Sequence, residues 1–179
     1  DLTSPEEAQA FLLTLRQILL YGGVSDCNLE QGNLRCDVNC SVRPEGQAAL
    51  GTKTELKNLN TFKGVFHSLE YEIARQTDVL RAGGRIVQET RRWDADAGVT
   101  YSMRTKEDAH DYRYFPEPDL PPLRLSDAWI DALRAQLPEL PEAKTKRFIA
   151  DFGLTPSDAR FITSDLSLAD YFEGIVSKS

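Results

Sequence analysis

Five polar side chains, Arg35, Asp37, Asn39, Ser41 and Arg43, occupy every second position between residues 35 and 43. In an extended chain alternate residues share a face and lie roughly 6.8 Å apart. The spacing therefore lines up guanidinium, carboxylate, amide, hydroxyl and guanidinium in one row. The intervening Leu34, Cys36, Val38, Cys40 and Val42 are apolar and fall on the opposite face, towards a core. A row of this chemistry suits a charged ligand; an exposed face carrying surface ion pairs is the plainer reading of the same residues. In Gly51 to Leu59 the alternation recurs, with Thr54 and Leu56 against Glu55 and Lys57, so that a second strand also presents a carboxylate beside an ammonium.

Both strands need elements to hold them. Ser4, Pro5 and Glu7 form a helix start with a capping box. Ala8, Phe11, Leu12, Leu15, Ile18 and Leu19 then recur at helical spacing until Gly22-Gly23. Glu30-Gln31-Gly32-Asn33 reads as the turn into the first strand. A long helix is expected from about Thr61 to Arg81, with Asn60 as its N-cap. Phe62, Val65, Phe66, Leu69, Ile73 and Leu80 supply its apolar stripe, and Glu70, Glu72, Arg75 and Asp78 its wet faces. His67 beside that stripe reads as a surface or boundary residue. Ile86 to Trp93 and Val99 to Arg104 form a second antiparallel pair across the Asp94–Gly98 turn. The order helix, hairpin, helix, hairpin predicts an α+β fold: an antiparallel sheet with helices on one face and the other face free for a ligand.

Four prolines (116, 118, 121 and 122) forbid regular structure around the connection that follows, and Tyr112, Arg113, Tyr114 and Phe115 just before them are unusual for a mere linker. From Ser126 the texture becomes helical, with starts near 126, 141, 155 and 167. The expected division is thus 1–115, a proline-rich connector at 116–125, and a small all-α segment at 126–179.

Composition narrows the function classes. Of the 179 residues, 41% are hydrophobic and 27% charged, as in a globular protein, and no apolar run approaches a membrane span. The net charge of −7 argues against a stand-alone nucleic-acid binder. It is unevenly spread: residues 1–30 and 116–179 each carry −4, and residues 31–115 carry +1. An anionic ligand is best sought in that middle segment. Three cysteines, Cys27, Cys36 and Cys40, cannot complete a disulfide framework, and with only His67 and His110 to help they make a poor zinc set. Buried free thiols in a reducing cytoplasm are the expectation.

Four motifs in consistent order carry a resemblance. Leu34-Arg35-Cys36-Asp37 with Asn39, Ser41, Arg43 and Pro44 resembles the central strand of the B subunits of the bacterial glutamyl/aspartyl-tRNA amidotransferases. Residues 51–60 (GTKTELKNLN), 88–91 (QETR) and 110–119 (HDYRYFPEPD) are similar to the same family, as is Pro-Glu-Leu-Pro at 138–141. Val38 and Cys40 stand where smaller or β-branched apolar residues are more usual, and both keep the apolar face.

The resemblance implies half of a glutamine-synthetase-like cradle followed by the start of a helical domain. It implies a protein that uses ATP and Mg²⁺ to phosphorylate the side-chain carboxylate of misacylated Glu-tRNA(Gln) or Asp-tRNA(Asn). Ammonia derived from glutamine then displaces the phosphate. The partners implied are the amidase (A) subunit, the small (C) subunit and the misacylated tRNA, in the cytoplasm, with no DNA and no membrane. Joining two anions needs metal and cationic clamps more than a nucleophile. On that basis Glu30, Asp37 and Glu55 are candidate metal ligands, and Arg35, Ser41 and Lys57 candidate nucleotide contacts. Asp37, Asn39, Arg43 and Lys57 are the candidate catalytic set, and Tyr112, Arg113 and Tyr114 are expected to guide tRNA. The family's other cradle half and its tRNA-gripping tail are not in this sequence, so the chain by itself is expected to be inactive. Two rival readings stand beside this one: a non-catalytic tRNA-docking or subunit-interaction module, and, less favoured, a free-standing carboxylate–amine ligase.

Overall fold

The computed structural model describes residues 2–103 and 116–178. They form two compact units divided between Thr105 and Lys106. The first unit contains helix α1 (Pro5–Tyr21), strands β1 (Val38–Cys40) and β2 (Thr54–Lys57), helix α2 (Phe62–Arg81), and strands β3 (Thr90–Asp94) and β4 (Val99–Ser102). The second contains helices α3 (Asp127–Arg134), α4 (Pro141–Phe152), α5 (Pro156–Ile162) and α6 (Leu166–Val176).

The first unit has the α+β character that the sequence predicts, with one difference in pairing. The four strands lie in the order β1-β2-β3-β4. β1–β2 and β3–β4 are antiparallel, but β2 and β3 run parallel, so the sheet is mixed. The cause is the connection: a 20-residue helix between β2 and β3 returns the chain to the start of the sheet, which is what a parallel neighbour requires. Ala8 and Leu12 of α1, Val65 and Leu69 of α2, and Cys40, Leu56 and Trp93 of the sheet share one core, so both helices cover the same face.

Local chemistry sets the ends of these elements. Ser4 caps α1 by accepting from the Glu7 backbone N–H (3.2 Å), with Pro5 at the first helical position. α2 is capped by Thr61 rather than Asn60: the Thr61 hydroxyl accepts from the Gly64 N–H at 2.9 Å. Asn58, one residue after β2, adopts a left-handed conformation (φ 68°) and donates its side-chain N–H to the Trp93 carbonyl at 2.9 Å. That turn takes the chain away from the sheet. The residues before Val38 are therefore left beyond the paired part of β2, and residues 41–43 form no strand either, so the expected first strand contracts to Val38–Cys40. The third strand is likewise shorter than expected, starting at Thr90 and not at Ile86.

The second unit is built on Phe148, Ala159 and Ala169, with Phe152 and Phe172 against them; the Phe148 ring lies 5.4 Å and 5.1 Å from theirs. The small Ala159 and Ala169 let α5 and α6 approach the aromatic cluster closely. Lys144, buried along its stem, reaches Asp170 (3.1 Å) and Glu173 (2.8 Å), and Arg147 joins Glu139 to Glu173. Residues 116–125 are exposed and carry no helix or strand, as the prolines require.

Candidate functional site

The register of the sheet decides which side chains meet. Val38, Cys40, Thr54, Leu56, Arg91, Trp93 and Thr100 lie on the helix-covered face; Asn39, Glu55, Lys57, Thr90, Arg92 and Tyr101 lie on the other. On that open face Asn39, Glu55 and Thr90 stand opposite one another across three strands. Lys57, Arg92 and Tyr101 form the next row.

The centre of the face is an ion triad. Lys57 Nζ lies 3.0 Å from Asp37 Oδ2 and 2.9 Å from Glu55 Oε1, and the Thr90 hydroxyl donates to Glu55 Oε2 at 3.0 Å. The Lys57 ammonium is held in its charged form, first by the hydrogen bond to Glu55 and then by that to Asp37. The carboxylates and the lysine predicted from alternation alone are thus brought together, although β1 itself stops short of Asp37.

The other predicted residues are placed unevenly around this triad. Glu30, Arg35, Asp37 and Lys57 line one open cavity of about 590 Å³, together with Asn58 and Asn60. Glu55 and Asn39 are not part of its wall and sit further along the face. Ser41 is half-buried just past the end of β1. Arg43 donates to the Ala48 carbonyl, which ties its guanidinium to the loop joining β1 and β2. Tyr112, Arg113 and Tyr114 lie outside the described residues.

The donor set sets limits on a metal. Asp37 and Glu55 offer hard carboxylate oxygens, the type that magnesium takes. Among the described residues no three His, Cys, Asp or Glu side chains cluster closely enough to hold an ion by themselves. The set fits magnesium held by one or two carboxylates with waters and phosphate oxygens as its remaining ligands, and does not fit an all-protein cage.

Behind the sheet lies a cluster that runs against expectation from residue type. Glu72, expected on a wet face of α2, has no exposed surface. Its carboxylate accepts from Arg75 (2.6 and 2.9 Å), the Thr54 hydroxyl (2.8 Å), Gln76 (2.9 Å) and the Thr100 hydroxyl (3.2 Å). Arg91 stands 3.5 Å away and binds Glu89 at 2.6 Å; Glu89 also accepts from Ser102. Burial is the largest single influence on the Glu72 carboxyl and pushes its pKa up. The hydrogen bonds from Arg75, Gln76 and Thr54 together outweigh it, leaving the group below the ordinary carboxylate value. The signal was present in the spacing: Glu72 and Gln76 continue the stripe of Val65, Ser68 and Leu69 at helical intervals. All three cysteines are free thiols; Cys27 and Cys40 are buried as expected, and Cys36 is only half-buried. Cys40 is buried, and its pKa is pushed up to about 11 by burial first and by the Glu72 charge second.

Known proteins resemble the chain over nearly its whole length. Residues 1–131 match the model of a family described as the GatB/GatE catalytic domain. The chain is 58% identical over 173 residues to a Carboxydothermus hydrogenoformans protein named as the B subunit of aspartyl/glutamyl-tRNA(Asn/Gln) amidotransferase, covering 97% of this chain and 36% of that protein. Proteins of the same name from Caldicellulosiruptor saccharolyticus and Moorella thermoacetica are each 56% identical, over 97% and 99% of this chain and 36% and 37% of their own lengths. The chain therefore spans a little over a third of the length of these relatives.

Proposed function

Because the chain belongs to the GatB/GatE catalytic-domain family, we propose that it forms one wall of the site at which an aspartyl/glutamyl-tRNA amidotransferase phosphorylates the side-chain carboxylate of a misacylated tRNA. The observation that carries this reading is the Asp37–Lys57–Glu55 triad on an open sheet face, beside a cavity that Arg35 also lines. Phosphoryl transfer to a carboxylate brings anions together and is accelerated by positioning and by fixed positive charge. Asp37 and Glu55 would hold magnesium, with Glu30 at the cavity wall as a further carboxylate. Magnesium, when bound, supplies charge neutralisation on the transferring phosphate. Arg35 offers a guanidinium to nucleotide phosphate oxygens, and Ser41 a hydroxyl. Lys57 is held in place by two carboxylates, so its ammonium is already oriented towards the face where charge would develop. Asn39, opposite Glu55, adds a neutral polar contact, and Arg43 acts at the flank. The acyl-phosphate would then be amidated with ammonia delivered from an amidase partner in a larger assembly that also binds tRNA.

The test uses the full-length protein in its complete assembly, with ATP, Mg²⁺ and misacylated tRNA. Asp37→Ala is expected to lower turnover by about 100-fold or more, in the range seen when a charge-stabilising group is lost, with tRNA affinity unchanged. Retained turnover sinks the catalytic reading. A parallel loss of tRNA affinity favours the second reading, a docking or subunit-interaction module. One observation supports that alternative: α3 buries none of its residues among those described, and leaves Trp129 and Leu133 exposed.

A further inference from the structure

The last rung of the β1–β2 ladder joins Cys40 to Thr54. Val42, two residues on, therefore has no strand partner, yet it lies between two residues of the polar row that the sequence predicts to meet a ligand, Ser41 and Arg43. Its backbone N–H is taken by a side chain from α2: Gln76 Oε1 accepts it at 3.0 Å. Gln76 Nε2 faces the Cys40 carbonyl (3.2 Å), the Thr54 hydroxyl (2.9 Å) and Glu72 Oε1 (2.9 Å). The orientation of the carboxamide is unambiguous, since its oxygen meets an N–H and its nitrogen meets oxygens, two of which can only accept. A buried carboxamide thus stands where a neighbouring strand residue would, bonding the C=O of residue 40 and the N–H of residue 42.

Gly51 closes on the same residue independently. A Cβ at position 51 would lie 2.1 Å from the Val42 carbonyl oxygen and 3.0 Å from its carbon, a collision with backbone that no side-chain movement relieves. Val42 is therefore gripped at its N–H by Gln76 and crowded at its C=O by the Gly51 backbone. Gln76 is in turn held by Glu72, whose carboxylate is fixed by Arg75.

We infer that Gln76 is a positioning residue for the ligand face: through the Val42 backbone it sets where Ser41 and Arg43 stand relative to the Asp37–Lys57–Glu55 triad. This rests on the proposed phosphorylation reading. Gln76 touches no substrate, and acts from the opposite side of the sheet. Displacements of about 1 Å remote from the chemistry can lower turnover by up to about 100-fold, and Gln76 controls a displacement of that kind.

The experiment compares wild type, Gln76→Met and Gly51→Ala as full-length proteins in the complete assembly. Gln76→Met keeps side-chain length and removes both hydrogen-bonding functions; Gly51→Ala disturbs Val42 from the other side without touching the core. Both are expected to lower kcat per folded site by about 10- to 100-fold, with KM for tRNA within about twofold of wild type, since a defect confined to chemistry leaves binding uniform. A folded Gln76→Met assembly with wild-type kcat overturns the inference. Amide exchange of wild-type Val42 decides it where Gln76→Met does not fold. Protection comparable to the β2 amides supports the grip, and exchange at the rate of an open loop overturns it. A wild-type assembly with no ATP-dependent turnover overturns the functional reading instead, which Asp37→Ala tests separately; Val42 protection would then be structural only.

Discussion

Glu72 carries a charge on the covered side of the sheet, and its surroundings explain how the core tolerates it. Two arginines and three neutral donors surround its two oxygens, so the desolvation cost is met by directed hydrogen bonds. Glu72→Ala leaves the Arg75 guanidinium without its main partner and is expected to cost about 3–5 kcal/mol in a urea titration. The same carboxyl imposes a pH dependence. Its folded pKa lies below the ordinary 4.5, so its contribution is complete above that value and is lost as pH falls through the lower folded pKa. Glu89, which burial pushes up but hydrogen bonds from Ser102 and Arg91 bring below the ordinary value, acts in the same direction. Stability should thus decline below about pH 4.5, and Glu72→Gln should flatten the decline. At this scale the alternation of residues 35–43 and 54–57 was enough to put Asp37, Glu55 and Lys57 among the polar residues of the two strands. It was not enough to find Glu72 and Gln76, because residue type argued for water while their positions in the stripe argued for the core. Position prevailed because Thr54 and Thr100, on strands distant in sequence, supply hydroxyls at the points where the helix presents its polar groups.

Helices were the elements that sequence described well, since their caps are local: Ser4 before Pro5, Ser126 before Asp127 and Thr155 before Pro156 are each read from a few neighbouring residues, and the α2 cap was missed by one position, Thr61 for Asn60. Strand lengths were less legible. A strand ends where its partner leaves, and the departure at Asn58 depends on a bond to Trp93, 35 residues away. The parallel β2–β3 pair follows from the long helix between them, which alternation within each strand does not reveal. What fastens the sheet to the helices is Leu56, fully buried at the centre of β2 with Glu55 and Lys57 on either side. Leu56→Ala should cost about 2–5 kcal/mol in chemical denaturation. Its effect should also spread to the open face, because the two residues that bracket it belong to the ion triad.

Across the whole molecule, the described residues keep two separate apolar cores, one around Leu56, Val65 and Trp93 and one around Phe148. The expected boundary at the proline-rich stretch rests on the change from alternating to helical periodicity, whereas the two compact units divide earlier, between Thr105 and Lys106. The second core is small, and its largest member has no exposed surface. Phe148→Ala should cost about 3–5 kcal/mol, seen as faster amide exchange in α4, α5 and α6. The first unit has a different character, which follows from the triad on its open face. Asp37 and Glu55 share Lys57, so two carboxylates are already held by one ammonium, and only partly neutralised, before any ligand arrives. On the proposed reading, loading such a face is ion exchange: an incoming divalent cation would compete with an ammonium already in residence, and an incoming polyanion would compete with the carboxylates for that same ammonium. The unit should therefore fold without waiting for metal, and unfold as cooperatively in EDTA as without it. On the proposed reading, magnesium alone should raise the melting temperature of the full-length protein in its complete assembly little, and magnesium with nucleotide considerably more, since only the pair supplies new partners for both signs of charge.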